Sequence, residues 1–262
     1  MELFGFVPSD ILSFMLTLFR ISIVLFLLPF FGGDTIPKTV KASLVLVLSA
    51  AFWPQLSFPG ELFPAHGIEI ILMLLGEVIL GLILGLMVNF LFGAVQLGGQ
   101  IIGFQMGFAM VNVVDPITGV SNAVSAHFLY MCTMLTFLVL NGHLELLNAV
   151  ALSFQYVPPG GLLINPEIST HIFKFSNLMF VLAIKIAAPV MAALFLVDLS
   201  LALIARAAPQ MHVLVLGFPI KITVGFFFLG FLFTLMSIYV QDFLQQLSLI
   251  YEGIMHIVST GK

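Results

Sequence analysis

The sequence predicts an all-α protein built into a membrane or a membrane complex. Three observations lead there. Hydrophobic residues make up 61% of the 262 and charged residues only 8%, which excludes an ordinary soluble domain. The apolar residues fall in runs of about 20 or more, long enough to cross a bilayer. Proline, glycine and asparagine clusters punctuate those runs where helices would start and stop. The net charge of −4 is thinly spread and forms no basic patch, so no nucleic-acid partner is expected. Cys132 stands alone in an apolar run and can form no internal disulfide.

The elements follow in order. The opening MELFGFVPSD lacks the positive region of a signal peptide, so the first apolar run is expected to stay in the mature protein. That run covers 11–31 and contains Arg20; Gly32-Gly33-Asp34 breaks it. Pro37 sits where a first-turn proline belongs, and a second apolar helix is expected over 40–53. Lys38 and Lys41 flank the turn. By the positive-inside tendency they place it on the cytoplasmic side, with the acidic N-terminus outside. Pro54, Pro59 and Pro64 make a rigid loop before a long helix over 68–92. Gly81, Gly85, Asn89 and Gly93 fall every four residues along it, a small-residue stripe that favours close helix packing.

The spacing continues through Gly99, Gly103 and Gly107, which leave a groove of bare backbone along one helix face. Large apolar residues stand between them: Ile101, Ile102, Phe104, Met106, Phe108 and Met110. Gly107 weakens the helix, and Asp115-Pro116 is read as its end. Such a segment suits either a movable apolar plug or a tight helix contact. Methionine is soft and adaptable, and an apolar constriction closes a pore by dewetting.

A helix over 121–140, a turn at Asn141-Gly142-His143 and a shorter helix to 156 follow. Pro158-Pro159-Gly160-Gly161 through Thr170 reads as a loop between two halves. The second half holds two long apolar runs, 171–205 and 212–259. As single helices they would measure roughly 50 and 70 Å against a bilayer core of about 30 Å. They must therefore kink, fold into hairpins or project beyond the lipid. Pro189 and Pro219 are the expected kinks. The polar turn from Arg206 to His212, with Pro209 and Gln210 at its centre, joins the runs into one helical hairpin.

Charges within apolar runs are costly unless paired. Here they are Arg20, Glu69, Glu77, Lys174, Lys185, Asp198, Arg206 and Lys221. They could relay protons or ions, or pair with charges on neighbouring helices or subunits. Lys185 and Asp198 are too far apart for an i,i+4 pair, so each needs a partner elsewhere. No catalytic pattern stands out. Asn141-Gly142-His143-Leu144-Glu145 lacks the HExxH spacing. The Gly99, Gly103 and Gly107 series lacks the Lys-Ser/Thr of a phosphate loop. Ser121 belongs to no serine, histidine and acid constellation. No enzyme, metal or cofactor is expected.

Several separate motifs carry a family resemblance. Residues 197–211, VDLSLALIARAAPQM, followed by Gly217-Phe218-Pro219-Ile220-Lys221, resemble the signature of the FliR/SctT family of type III export-gate subunits. Gly103-Phe104-Gln105-Met106-Gly107, Val114-Asp115-Pro116, the stretch from Phe137 through Asn141-Gly142-His143 and Pro158 through Gly161 are similar too. The similarity runs in order along essentially the whole chain, and the Gly217-Phe218-Pro219 form is more flagellar than injectisome-like.

The resemblance implies a single family domain over 1–262, an integral membrane-complex protein of long kinked helical hairpins. Its N-terminal helical part, 1–157, would be FliP-like and carry a plug loop at about 96–119. A connecting loop over 158–170 would lead to a FliQ-like C-terminal hairpin over 171–262. The implied partners are FliP, FliQ, FlhB and FlhA, unfolded flagellar export substrates and membrane lipid. The implied place is the bacterial inner membrane, as a multi-pass protein of the flagellar basal body. Carried over residue by residue, the pore plug is Gly103, Phe104, Gln105, Met106, Gly107, Phe108, Met110 and Val111, hinging at Gly103 and Gly107. Arg20, Glu77, Lys185, Asp198, Arg206, Pro209, Gln210 and Lys221 are the embedded polar and structural positions, facing sister subunits rather than lipid. Export energy would come from the partners. Two other readings stand beside this one. The first is a secondary transporter using Lys185, Asp198 or Arg206 in a polar site. The second is a passive assembly factor with no part facing a lumen.

Overall fold

The computed structural model describes residues 8–33, 36–55, 67–108, 124–158, 166–210 and 213–260. Among these, all regular structure is helical. Helix α1 spans Pro8–Leu27, the short α2 Pro29–Gly32 and α3 Lys38–Phe52, which a 3-10 turn over Trp53–Gln55 extends. Then come α4 Gly67–Met106, α5 Val124–Val139, α6 Gly142–Tyr156, α7 Pro166–Ala207 and α8 Val213–Thr260. Four helical segments are long and apolar enough to cross a membrane: Asp10–Leu27, Gly67–Met106, Ser169–Ala207 and Val215–Met255. The bent pair α5 and α6 passes the same test only when the two are taken together as one broken span. The chain is an all-α, multi-pass membrane protein.

Several boundaries differ from the sequence expectation, each for a local reason. Pro37 caps α3 rather than sitting in its first turn; its carbonyl accepts from Val40 N (3.0 Å) and Lys41 N (3.2 Å). The α4 helix does not stop near residue 92 but runs 40 residues to Met106. Its glycines are kept in helix by close packing. The span read as a plug loop from about 96 is therefore helical through Met106. Helix α7 starts at Pro166, inside the expected 158–170 loop, with proline at the first helical position, where its missing N–H costs nothing. Pro189 and Pro219 lie inside α7 and α8 without interrupting either. Asn141, at φ 59°, ends α5 and opens α6, as a residue tolerant of left-handed backbone should.

The helices group into two compact units. The first comprises Met1–Asn89, Asn141–Phe175 and Leu244–Lys262. Its core shows helical periodicity directly: Leu16, Thr17, Arg20, Ile21 and Val24 of α1 are all at most 2% exposed. This face lies against the first half of α4, whose small-residue stripe meets it. A Cβ on Gly81 would stand 2.9 Å from the Ile23 Cβ, and one on Gly85 would stand 2.6 Å from the Leu27 Cβ. Asn89 completes the stripe by donating its side-chain amide to the Leu27 carbonyl at 2.5 Å. Tyr251 of α8 donates to the Leu84 carbonyl at 2.6 Å.

The second unit comprises Phe90–Leu140 and Ser176–Phe243. Its core joins Ile102 and Met106 of α4, Leu129 of α5, Val190 and Leu194 of α7, and Leu232 and Met236 of α8. Here α4 approaches α5 at backbone distance. A Cβ on Gly99 would meet the Ala126 N at 2.9 Å, and Ser125 Oγ donates to the Gly99 carbonyl at 2.8 Å.

Gly85→Val should therefore destabilise the protein by about 1–3 kcal/mol through overpacking against Leu27. Gly230→Ala is the control. Its added methyl meets nothing within 4 Å in a helix interior, so it should be neutral or stabilise by up to about 1 kcal/mol. Thermal inactivation of the detergent-extracted protein reads both.

Candidate functional site

The C-terminal end of α4 belongs to the second unit. Gly107 has φ +91°, a conformation that L side chains rarely adopt. Its N–H reaches the Phe104 carbonyl at 3.1 Å, and the Phe108 N–H reaches back to the Gly103 carbonyl at 3.0 Å. That pair of bonds is a Schellman C-cap, with glycine at the left-handed position. It ends the helix at Met106, well before the Asp115-Pro116 stop expected from sequence, because the cap satisfies the last carbonyls at once.

Around this cap the side chains divide sharply. Met106 is fully buried against Gly225, where a Cβ would come within 2.6 Å of its Cγ. Gly103 is buried and Gln105 half-buried, whereas Phe104 is 70% exposed. Phe108 turns back onto the core and meets Phe226 edge-on at 6.3 Å. Gly107 itself lies over the Phe218 ring, 2.8 Å from where a Cβ would stand. Of the expected plug residues, Met110 and Val111 lie outside the described residues, as does Asp115-Pro116. Phe218 stands in the family signature, but nothing in the sequence ties it or Phe226 to this cap, because α8 is more than 100 residues away along the chain.

Six of the eight embedded charges sort into three groups. Arg20 and Glu77 form one buried pair in the first unit, 0% and 1% exposed. Arg20 Nη2 donates to Glu77 Oε1 at 2.9 Å, and Nε bonds the other carboxylate oxygen. Its Nη1 donates to Ser153 Oγ and to the Val157 carbonyl, both at 3.1 Å, and the guanidinium lies 4.2 Å over the Phe154 ring. The guanidinium therefore finds acceptors on α4 and α6 and a ring on α6. In the second unit Asp198 of α7 pairs with Lys221 of α8. The two line a cavity of about 280 Å³ with Leu201, Ala202, Ala205, Gly217 and Phe218. Lys185, Arg206, Pro209 and Gln210 are exposed and line no part of that cavity. Lys185, Asp198 and Arg206 thus do not converge, as the transporter reading requires. Among the described residues, no three His, Cys, Asp or Glu side chains come together.

Comparison with known proteins gives a consistent picture. A family model described as bacterial export proteins, family 1, matches residues 11–247. The chain is 36% identical over 222 residues to the flagellar biosynthetic protein FliR of Bacillus subtilis (strain 168), covering 83% of this chain and 84% of that protein. It is 32% identical over 208 residues to the FliR of Escherichia coli (strain K12), covering 79% of each. The surface presentation of antigens protein SpaR of Salmonella typhimurium is 25% identical over 202 residues, covering 77% of this chain and 75% of SpaR. No transporter of small solutes is among these similarities.

Arg20→Ala should cost about 3–5 kcal/mol, because it takes the guanidinium away from the buried Glu77 carboxylate. Arg20→Met with Glu77→Met should recover much of that loss, since a buried pair replaced together leaves no lone charge. Membrane-extracted yield and thermal inactivation of the three forms check the order: wild type and double variant above the single.

Proposed function

The chain belongs to the bacterial export proteins, family 1, and from that membership we propose that it works as a subunit of the flagellar type III protein export gate. In this role it helps form and seal the channel that passes unfolded flagellar proteins across the inner membrane during flagellum assembly. FliP, FliQ, FlhB and FlhA are its expected partners, the basal body its expected place, and energy coupling falls to the partners rather than to any catalytic site of this chain.

The observation that carries the sealing role is the Gly107 cap. It ends an apolar helix whose last turn exposes Phe104 and buries Met106. We assign the plug to Gly103, Phe104, Gln105, Met106, Gly107 and Phe108, continued by Met110 and Val111. An apolar constriction of phenylalanine and methionine excludes water and ions by dewetting. Methionine repacks readily around varied side chains, which suits a passage that must take many sequences. Release needs only a change at Gly107, where glycine alone moves between left-handed and right-handed backbone without penalty. Gly103 sits within the helix as the acceptor of the cap, so opening the cap frees it to follow.

A photo-crosslinker placed at Phe108 should trap a stalled export substrate during active export. Crosslinks only to neighbouring subunits, with export running, would remove Phe108 from the conducting path. Deletion of 104–110 should leave assembled complexes leaky to ions at rest, read as membrane conductance; an ion-tight complex would end the plug assignment.

A further inference from the structure

We infer that Lys185 is the anchor of an interface with a partner subunit whose apposed apolar helix carries a carboxylate. It rests on the export-gate reading only for the existence of partner subunits.

Lys185 lies inside the apolar span Ser169–Ala207, 16 residues from its start and 22 from its end (185 − 169 and 207 − 185). Its neighbours Ala183, Ile186, Ala187 and Val190 are fully buried and face the core of the second unit. Lys185 points away from them and is exposed. Within that unit the described carboxylates are Asp198 and Asp242. Asp198 is held by Lys221, and Asp242 forms no ion pair among the described residues. Asp198 is also 13 residues along the same helix, roughly 20 Å away.

The surroundings of the lysine decide between the ways such a charge is satisfied. A face lining a water-filled path would carry further polar groups. The exposed neighbours are instead Phe180, Val181 and Ile184, at 52%, 39% and 61%, with Ala188 and Ala192 beyond. Lys174 and Asn177 are exposed toward the start of the same helix, but from residue 178 to 192 Lys185 is the one polar side chain, the pattern of a packed helix face. Left against lipid, a central lysine would cost about 2.5–3.5 kcal/mol. A carboxylate on the opposing helix removes that cost and fixes register. Ala188 and Ala192, three and seven residues on, let a second backbone come close enough for the lysine to reach it.

The test uses the chain expressed with its export-apparatus partners, as Lys185→Arg, Lys185→Met and Lys185→Glu. The readouts are the chain's level in the membrane and the amount of complex captured through a tag on a partner. Lys185→Arg should assemble within about twofold of wild type. Lys185→Met and Lys185→Glu should insert normally yet lower complex recovery about tenfold or more, because each strands the partner's carboxylate. A second-site change that neutralises or reverses one acidic residue in a partner should restore them. Wild-type assembly of Lys185→Met overturns the inference, since a lysine facing lipid or headgroups loses nothing on becoming methionine. Suppressors confined to this chain overturn it too. Failure of the export-gate reading itself would look different: flagellar export would persist when the whole chain is deleted.

Discussion

A guanidinium held at zero exposure constrains everything packed around it. In a chain with 8% charged residues, Arg20 cannot reach water, so each of its donors must be met from within the first unit. Glu77 takes two of them, while Ser153 and the Val157 carbonyl share a third nitrogen. These partners are 57, 133 and 137 residues away along the chain. Helix α1 must therefore lie against α4 and α6 in one register, and the glycines at 81 and 85 are what let α1 and α4 come close enough. Charge sets the register and bare backbone sets the distance. Neither would work with a larger residue in the stripe.

The two glycine series look alike in sequence and do different things. Gly81 and Gly85 are bare because α1 occupies the space a side chain would fill. Gly99 is bare because α5 does the same. Gly107 is required for another reason, its backbone angle, and crowding by Phe218 is secondary. A four-residue period cannot separate these uses. Close approach favours small residues in general, whereas positive φ selects glycine almost alone.

Much of the fold was legible and part of the site was not. Apolar runs of helical length gave the fold class, and Asn141-Gly142 gave the break between α5 and α6 within a residue or two. The sequence reading divides α4 at about residue 92 and carries the glycine series on to Asp115-Pro116, whereas one helix runs to Met106: glycine counts against a helix in isolation and packing overrides it. Arg20 and Glu77 were both visible as embedded charges, but nothing local ties residues 57 apart. The pair Asp198 and Lys221 could have been found. Asp198 stands 11 residues before Pro209 and Lys221 stands 11 after Gln210, so a symmetric hairpin about that turn brings them together.

The two units are stabilised by chemistries of different stiffness, and that difference bears on where movement is affordable. The first is fixed by charge-assisted hydrogen bonds in an enclosed setting, where breaking one partner strands another. The second, around Met106, Met236 and the Gly107 cap, has a core of apolar contacts that repack with little loss. The cap itself is two backbone hydrogen bonds, each about 0.5–1.5 kcal/mol net. A helix ended by proline cannot be extended and re-formed at will, because the ring removes the donor permanently. A helix ended by a glycine cap keeps its backbone donors, so the cap can open and re-form. A gate must reverse its own opening, and that is what the plug proposed at Gly107 would require of its cap.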